Sequence, residues 1–319
     1  MFSRPRTLAR FAATAALALT SFSVGLAATT DSARPKPISV ATVGTMRVEA
    51  YGTGSPALIF IPGLSCGSWV WDDAVRTYEK SHAVYVVTLA GFDGLPAKPG
   101  PAIDAADASL SQLLTTYRLD RPIVIGHSLG GYLALRFGSE HSDLVRGIVS
   151  VDGLPVFPAL LDATSERRRE IADATAASIS KASAAEFAEQ QRVTIATMVT
   201  DPARARQVAE LSSKSDPAAV GTYAGELFAS DLRPQMKMLT APTLEIAPVP
   251  TIPTAYEGPG ASTKSKAERA ASYVGFYASL FPGTPRLEVV PISDSLHFVM
   301  IDQPKALYDA ITAFVAASA

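Results

Sequence analysis

Short apolar runs separated by stretches of helical spacing set the rhythm of this chain. Ala57–Ile61 (ALIFI), Ala83–Leu89 (AVYVVTL), Pro122–Ile125, Leu144–Val151, Pro242–Ile246 and Arg286–Val290 are the runs. Brief runs rich in Val and Ile, with no polar alternation, are the mark of strands buried on both faces. Strands in that state belong to a parallel sheet covered by helices above and below. The intervening segments Trp69–Lys80, Asp104–Arg118 and Leu129–Gly138 read as those helices, with others at about 263–280 and from Pro304 onward. Residues Ile38–Tyr51 precede the first buried run and predict an antiparallel hairpin at one edge.

The pattern changes near residue 155. Residues 160–230 hold no convincing strand, while Asp201-Pro202 and Asp216-Pro217 each set a carboxylate that can cap a helix before a proline suited to its first turn. The stretch predicts about four helices inserted into the sheet domain. The domain boundaries expected are 38–154 and 236–319 for the α/β core and 155–235 for an all-helical cap.

The N-terminus has a different character. Arg4, Arg6 and Arg10 precede an uncharged run from Phe11 to Leu26, and Gly25-Leu26-Ala27 supplies small residues before a cut. The run is short and diluted by Ser and Thr against the ~20 apolar residues of a bilayer span. Residues 1–27 therefore read as a secretory signal peptide and 28–37 as a polar, Pro-bearing linker. The expectation is an exported protein, periplasmic or secreted, with no stable membrane span after cleavage.

Composition narrows the classes further. Hydrophobic residues make up 48% of the 319 and charged residues 18%, which excludes a disordered chain. A net charge of −2 without a basic stretch gives no nucleic-acid footprint. One cysteine permits neither an intrachain disulfide nor a thiolate zinc cluster. Cys66 reads as a small buried apolar group, Trp69 and Trp71 as core, and Glu166-Arg-Arg-Arg-Glu170 as a solvated helix face. The pattern does not set the oligomeric state.

The most informative segment is Ile123-Val-Ile-Gly-His-Ser-Leu-Gly-Gly131. Gly126-x-Ser128-x-Gly130 lies between a strand and a helix, where small neighbours let the backbone turn sharply and lift the Ser128 hydroxyl above the sheet edge. At the helix N-terminus the N–H of Leu129 can receive an oxyanion.

With Pro62-Gly63-Leu64 after an earlier strand and Ser-Leu-His297-Phe near the C-terminus, the chain resembles the α/β-hydrolase family in its lid-bearing branch. That resemblance implies an eight-stranded, mostly parallel sheet with helices on both faces and a helical cap after strand six. It implies Ser128 as nucleophile and His297 as general base and then acid. His127 would support the turn; His82 and His141 would lie at the surface. Leu64 and Leu129 would supply the oxyanion N–H groups; Pro62-Gly63 replaces the His-Gly that relatives often carry there. The acid is open. Asp152, at the end of strand six, is preferred, Glu257 is the alternative, and Asp294 and Glu245 follow. No metal or organic cofactor is implied.

The function expected is cleavage of a small or medium carboxylic ester, a small-molecule substrate, through an acyl-enzyme. Two alternatives stand beside it. A proline-releasing aminopeptidase would need Glu186, Glu189, Glu210 or Glu226 to hold the substrate amine. A non-catalytic binding protein would keep the elbow without a complete triad. The cap contributes Phe157, Phe187, Met198, Tyr223 and Phe228, some of which are expected at the substrate cleft.

Overall fold

The structure is a computed structural model and describes residues 33–252 and 263–318. The expected signal peptide, the first part of the linker, and Glu257 lie outside the described residues. From Arg34 onward the chain forms one compact unit.

Its centre is an eight-stranded sheet of β1 (Ser39–Val43), β2 (Met46–Tyr51), β3 (Leu58–Ile61), β4 (Val84–Thr88), β5 (Ile123–His127), β6 (Gly147–Val151), β7 (Thr243–Val249) and β8 (Leu287–Ser293). The spatial order is β1-β2-β4-β3-β5-β6-β7-β8. β2 runs antiparallel to both β1 and β4, and the other pairings are parallel. The mostly parallel sheet with its edge hairpin is thus borne out.

Helices cover both faces. They are α1 (Asp72–Tyr78), α2 (Ala102–Tyr117), α3 (Leu129–Glu140), α4 (Ser165–Ser180), α5 (Ala184–Ile195), α6 (Pro202–Ser212), α7 (Pro217–Ala229), α8 (Lys266–Ser279), α9 (Val299–Asp302) and α10 (Pro304–Ala317). The period of two along β3 shows how the layers form. Ile59 and Ile61 point into the core shared with α2 and α3, whereas Leu58 and Phe60 point into the core shared with α1 and α10. All four are buried on both faces, which is why the run shows no polar alternation.

Between β6 and β7 lie α4 to α7, an insertion whose ends meet where Val156 bridges Asp231. Asp201 and Asp216 cap α6 and α7, each carboxylate accepting two backbone N–H bonds. The solvated face expected at Glu166–Glu170 is found at Glu166, Arg167, Arg169 and Glu170, which are exposed, but not at Arg168: its side chain is only 12% exposed and pairs with Asp231 at 3.3 Å, while Arg233 holds the same carboxylate at 2.7 Å. The ion pair ties α4 to the neck of the insertion. Among the described residues no helix is long and apolar enough to cross a membrane.

Candidate active site

β5 ends at His127 and α3 begins at Leu129, so Ser128 alone makes the turn. Its φ of 55° and ψ of −118° are rare for a residue with a side chain and store strain of a kind found at functional sites. The turn is held on both sides: the Ser128 N–H donates to the Val151 carbonyl at 3.0 Å, and the Ser128 carbonyl accepts from the Tyr132 N–H at 2.9 Å. Gly126 and Gly130 make the close passage possible. A Cβ on Gly126 would sit 1.9 Å from the Gly130 carbonyl oxygen, and one on Gly130 would sit 2.3 Å from that of Ile61. The elbow is therefore pressed against the end of β3, where the Pro62-Gly63-Leu64 loop starts.

That loop closes as a turn, with the Cys66 N–H donating to the Gly63 carbonyl at 3.1 Å and Ser65 at φ 63°. Leu129 is the first residue of α3, so its N–H has no acceptor within the helix. Among the described residues, no acceptor meets the N–H of Leu64. Two backbone donors without an acceptor among the described residues are thus present, one in the loop after β3 and one at the start of α3.

Asp152 follows β6 with φ 51°. Its Oδ2 lies 2.5 Å from His297 Nδ1, and its Oδ1 accepts from the Tyr277 hydroxyl at 2.5 Å. A carboxylate accepts, so Nδ1 carries the proton, and Nε2 is left as the nitrogen able to take one. The pair is reachable: the side chains of His297 and Asp152 are 22% and 14% exposed. Tyr277, on α8, was invisible in the sequence because a buried tyrosine on an amphipathic helix reads as core.

His127 joins the elbow to the histidine loop. Its Nε2–H donates to the His297 carbonyl at 3.0 Å, and the two rings stand 4.6 Å apart. Complete burial, followed by the neighbouring His297, pushes the His127 pKa well below its ordinary value, so the ring is neutral. Further contacts fix the same loop. The Phe298 N–H donates to the Met198 carbonyl at 3.1 Å. Asp302 accepts from the Leu296 N–H at 2.8 Å and from the N–H and hydroxyl of Thr200 at 2.9 and 2.8 Å. Ser128 and His297 are thereby brought to one end of the sheet. Their side chains are not directly hydrogen-bonded to each other, a contact that in many enzymes tightens only when substrate is present.

The other carboxylates go elsewhere. Asp294 is exposed and pairs with Lys266 at 2.6 Å. Glu245 is fully enclosed on β7 opposite Ser150. Desolvation above all pushes its carboxyl well above the usual range; the Ser150 hydroxyl opposes this and the charge of Asp152 adds to it, so the group stays neutral. Among the described carboxylates, Asp152 is the one that meets His297. The four glutamates considered for a substrate amine show no convergence either. Glu186 closes a capping box with Ser183, Glu189 pairs with Arg192, Glu226 accepts from the N–H groups of Ala102 and Ile103, and Glu210 is exposed.

Of the insertion's apolar residues, Phe187 and Tyr223 enter the core, and Tyr223 packs on Phe92. Phe157 remains 38% exposed and stacks on Phe228 with ring centroids 4.2 Å apart. Burial pushes the Cys66 thiol up to about 12, which leaves it unreactive.

Comparison with known proteins agrees with this architecture. A family model described as the alpha/beta hydrolase family matches residues 58–310. A 2-(acetamidomethylene)succinate hydrolase of Mesorhizobium japonicum is 29% identical over 126 residues, covering 39% of this chain and 45% of the relative. A pimeloyl-[acyl-carrier protein] methyl ester esterase of Nitrosomonas europaea is 28% identical over 115 residues, covering 36% and 44%. The alignments thus span less than half the length of these curated relatives. Among solved structures, a thermophilic esterase from Thermogutta terrifontis superposes with a TM-score of 0.69 at 18% identity, over 88% of this chain and 99% of that one. At this identity the likeness speaks for the fold.

Proposed function

The chain belongs to the alpha/beta hydrolase family, and from that premise we propose that it is an exported serine hydrolase that cleaves carboxylic esters. One observation carries the reading above all others. Asp152 and His297, far apart in sequence, are joined at 2.5 Å at the sheet end where Ser128 stands in its strained turn.

The chemistry follows from the geometry. The Ser128 hydroxyl attacks the carbonyl carbon while His297 Nε2 takes its proton. Asp152 holds the imidazole in the required tautomer and stabilises the imidazolium. The tetrahedral oxyanion is received by the N–H groups of Leu64 and Leu129, each such donor being worth on the order of 10²–10³ in rate. His297 returns the proton to the departing alcohol, leaving an acyl-Ser128 ester. Water then attacks the acyl carbon as His297 takes its proton; the bond to Ser128 Oγ breaks, His297 returns the proton to Oγ, and the acid is released. Residues 155–235 act as a cap over the site, and residues 1–27 as a removable leader. The Phe157–Phe228 ring pair of the insertion, with Phe157 38% exposed, supports an apolar acyl or alcohol group.

A proline-releasing aminopeptidase has less support. Its amine site would call on glutamates that already cap helices, pair with arginine or lie exposed.

The test is labelling by a fluorophosphonate probe beside turnover of a chain-length series of p-nitrophenyl esters. Wild type should label and turn over, and Ser128→Ala should lose both, with kcat falling by ~10⁶. A wild type that does neither is a binding protein of this fold. Preferred turnover of prolyl anilides would move the reading to the peptidase. N-terminal sequencing of the exported protein tests the leader, with a first residue near Ala28 expected.

A further inference from the structure

Ser65 is the residue after Leu64, the oxyanion donor of the reading above. It is buried and has φ 63°, at the third position of the turn closed by Gly63 and Cys66. Glycine or asparagine is favoured at such a position, and serine there is strained. A strained residue persists only where its surroundings over-determine it.

The surroundings come from the insertion. The Ser65 hydroxyl donates to the Ser212 carbonyl at 2.8 Å, and the Ser65 carbonyl accepts from the Ser215 hydroxyl at 3.1 Å. Ser65 is thus held at both of its polar ends by the corner between α6 and α7. The Ser215 oxygen also accepts from the Asp93 N–H at 3.1 Å. Beside it the Asp216 N–H donates to the Gly91 carbonyl at 2.7 Å and the Gly94 N–H to the Lys214 carbonyl at 3.3 Å. One short corner therefore clasps two core loops, the one after β3 and the one after β4. Ser212 and Ser215 are themselves buried, so water does not compete for these bonds.

We propose that the α6–α7 corner of the insertion is a fixed brace for the oxyanion loop, with Ser215 and Ser65 as positioning residues that aim the Leu64 N–H. The part of the cap at residues 212–216 does not swing away during turnover. It completes the hole from above, and the core alone does not hold Leu64 in place. This rests on the hydrolase reading for its kinetic consequence, but the clasp itself is testable without activity.

Ser215→Ala removes the hydroxyl that serves both loops. Ser65→Gly relieves the positive φ while removing the bond to Ser212; set beside Ser215→Ala, which loosens the tether and leaves the φ strained, it separates backbone strain from tethering. Both variants should lower kcat on a p-nitrophenyl ester about tenfold, part of the 10²–10³ that loss of a whole donor costs, with KM nearly unchanged. Affinity for an alkyl boronic acid, which mimics the tetrahedral adduct, should fall in parallel. In hydrogen exchange, the amides of Leu64–Cys66 should exchange faster in both variants, while those of α4 and α5 stay as in wild type. Wild-type kcat, boronate affinity and exchange in both variants would overturn the brace. If wild type itself shows no turnover and no fluorophosphonate labelling, the hydrolase reading fails, and exchange at Leu64–Cys66 alone decides whether the brace stands.

Discussion

The elbow around Ser128 and the loop carrying His297 stand at the same end of the sheet and are built in opposite ways. The elbow is made mainly by residues close in sequence, with one backbone bond from the neighbouring strand β6. Gly126 and Gly130 clear the passage, and backbone bonds to Val151 and Tyr132 close it. The histidine loop is held from outside itself by Asp152, His127, Met198 and Asp302, which come from four separate segments. A nucleophile on a sharp turn needs mainly that the chain can pass, and steric exclusion supplies this locally. A base must be aimed at a partner far away in sequence, and only side chains from elsewhere can do that. The elbow should therefore tolerate loss of distant contacts, whereas the histidine loop should not.

Replacing Asp152 by Asn breaks the comparison hardest. The amide can donate to Nδ1 and so favours the wrong tautomer, for which a loss of ~10⁴ in kcat is the expected scale. The fold should be retained, because β6 and the elbow contacts do not depend on the carboxylate. Steady-state and burst kinetics check this. Near-normal turnover would move the acid role to another carboxylate, Glu257 being the first to test by Glu257→Gln.

Tyr277→Phe sharpens the same contrast at smaller scale. It deletes one hydrogen bond to an ionised carboxylate, for which about 1.5–3 kcal/mol is typical, but Asp152 keeps its bond to His297. A drop in kcat of about tenfold with KM unchanged is expected, because only part of that energy bears on the transition state. An unchanged kcat would mean that His127, Met198 and Asp302 suffice to hold the loop. A loss as large as that of Asp152→Asn would mean that Tyr277 alone orients the acid.

The same division explains what could be read from the residues. The strand expected at Ala83–Leu89 is found at Val84–Thr88, and the caps expected at Asp201 and Asp216 are made, since these signals are local. The elbow was legible for the same reason. Trp69–Lys80 splits into a short 3₁₀ turn, Ser68–Trp71, followed by α1; Trp71 is fully buried and Trp69 only partly. The choice among acids stayed open because reach is a tertiary property; Asp294 differs from Asp152 chiefly in having Lys266 beside it instead of His297. The roles of Arg168 and Tyr277 are not legible in the sequence because their partners, Asp231 and Asp152, lie far off along the chain. The serine clasp on Ser65 was equally hidden, since Ser212 and Ser215 look like ordinary helix-end residues.

Glu245 gives the subtlest test, and it concerns the sheet beneath the acid. Its carboxyl is fully buried on β7, and burial above all pushes its pKa well above the ordinary range. The unfolded chain ionises it near ~4.3. Below that pH both states hold the proton, and Glu245 adds no pH dependence. Above it the unfolded state releases the proton while the folded state keeps it. Folding stability then falls as pH rises, by up to about 1.4 kcal/mol per pH unit, until the folded pKa is reached. Glu245→Gln keeps the shape and removes the titration. The variant should therefore gain on wild type as pH is raised from about 4 to about 7, as read from urea unfolding across that range. Its kcat at neutral pH should stay within about twofold of wild type, because one neutral group replaces another and the bond between Asp152 and His297 is left intact. Parallel stability curves would show that the folded protein ionises Glu245 as readily as the unfolded chain does. A collapse of kcat would instead make Glu245 a fifth support of the acid–histidine pair, this time supplied by the neighbouring strand of the sheet.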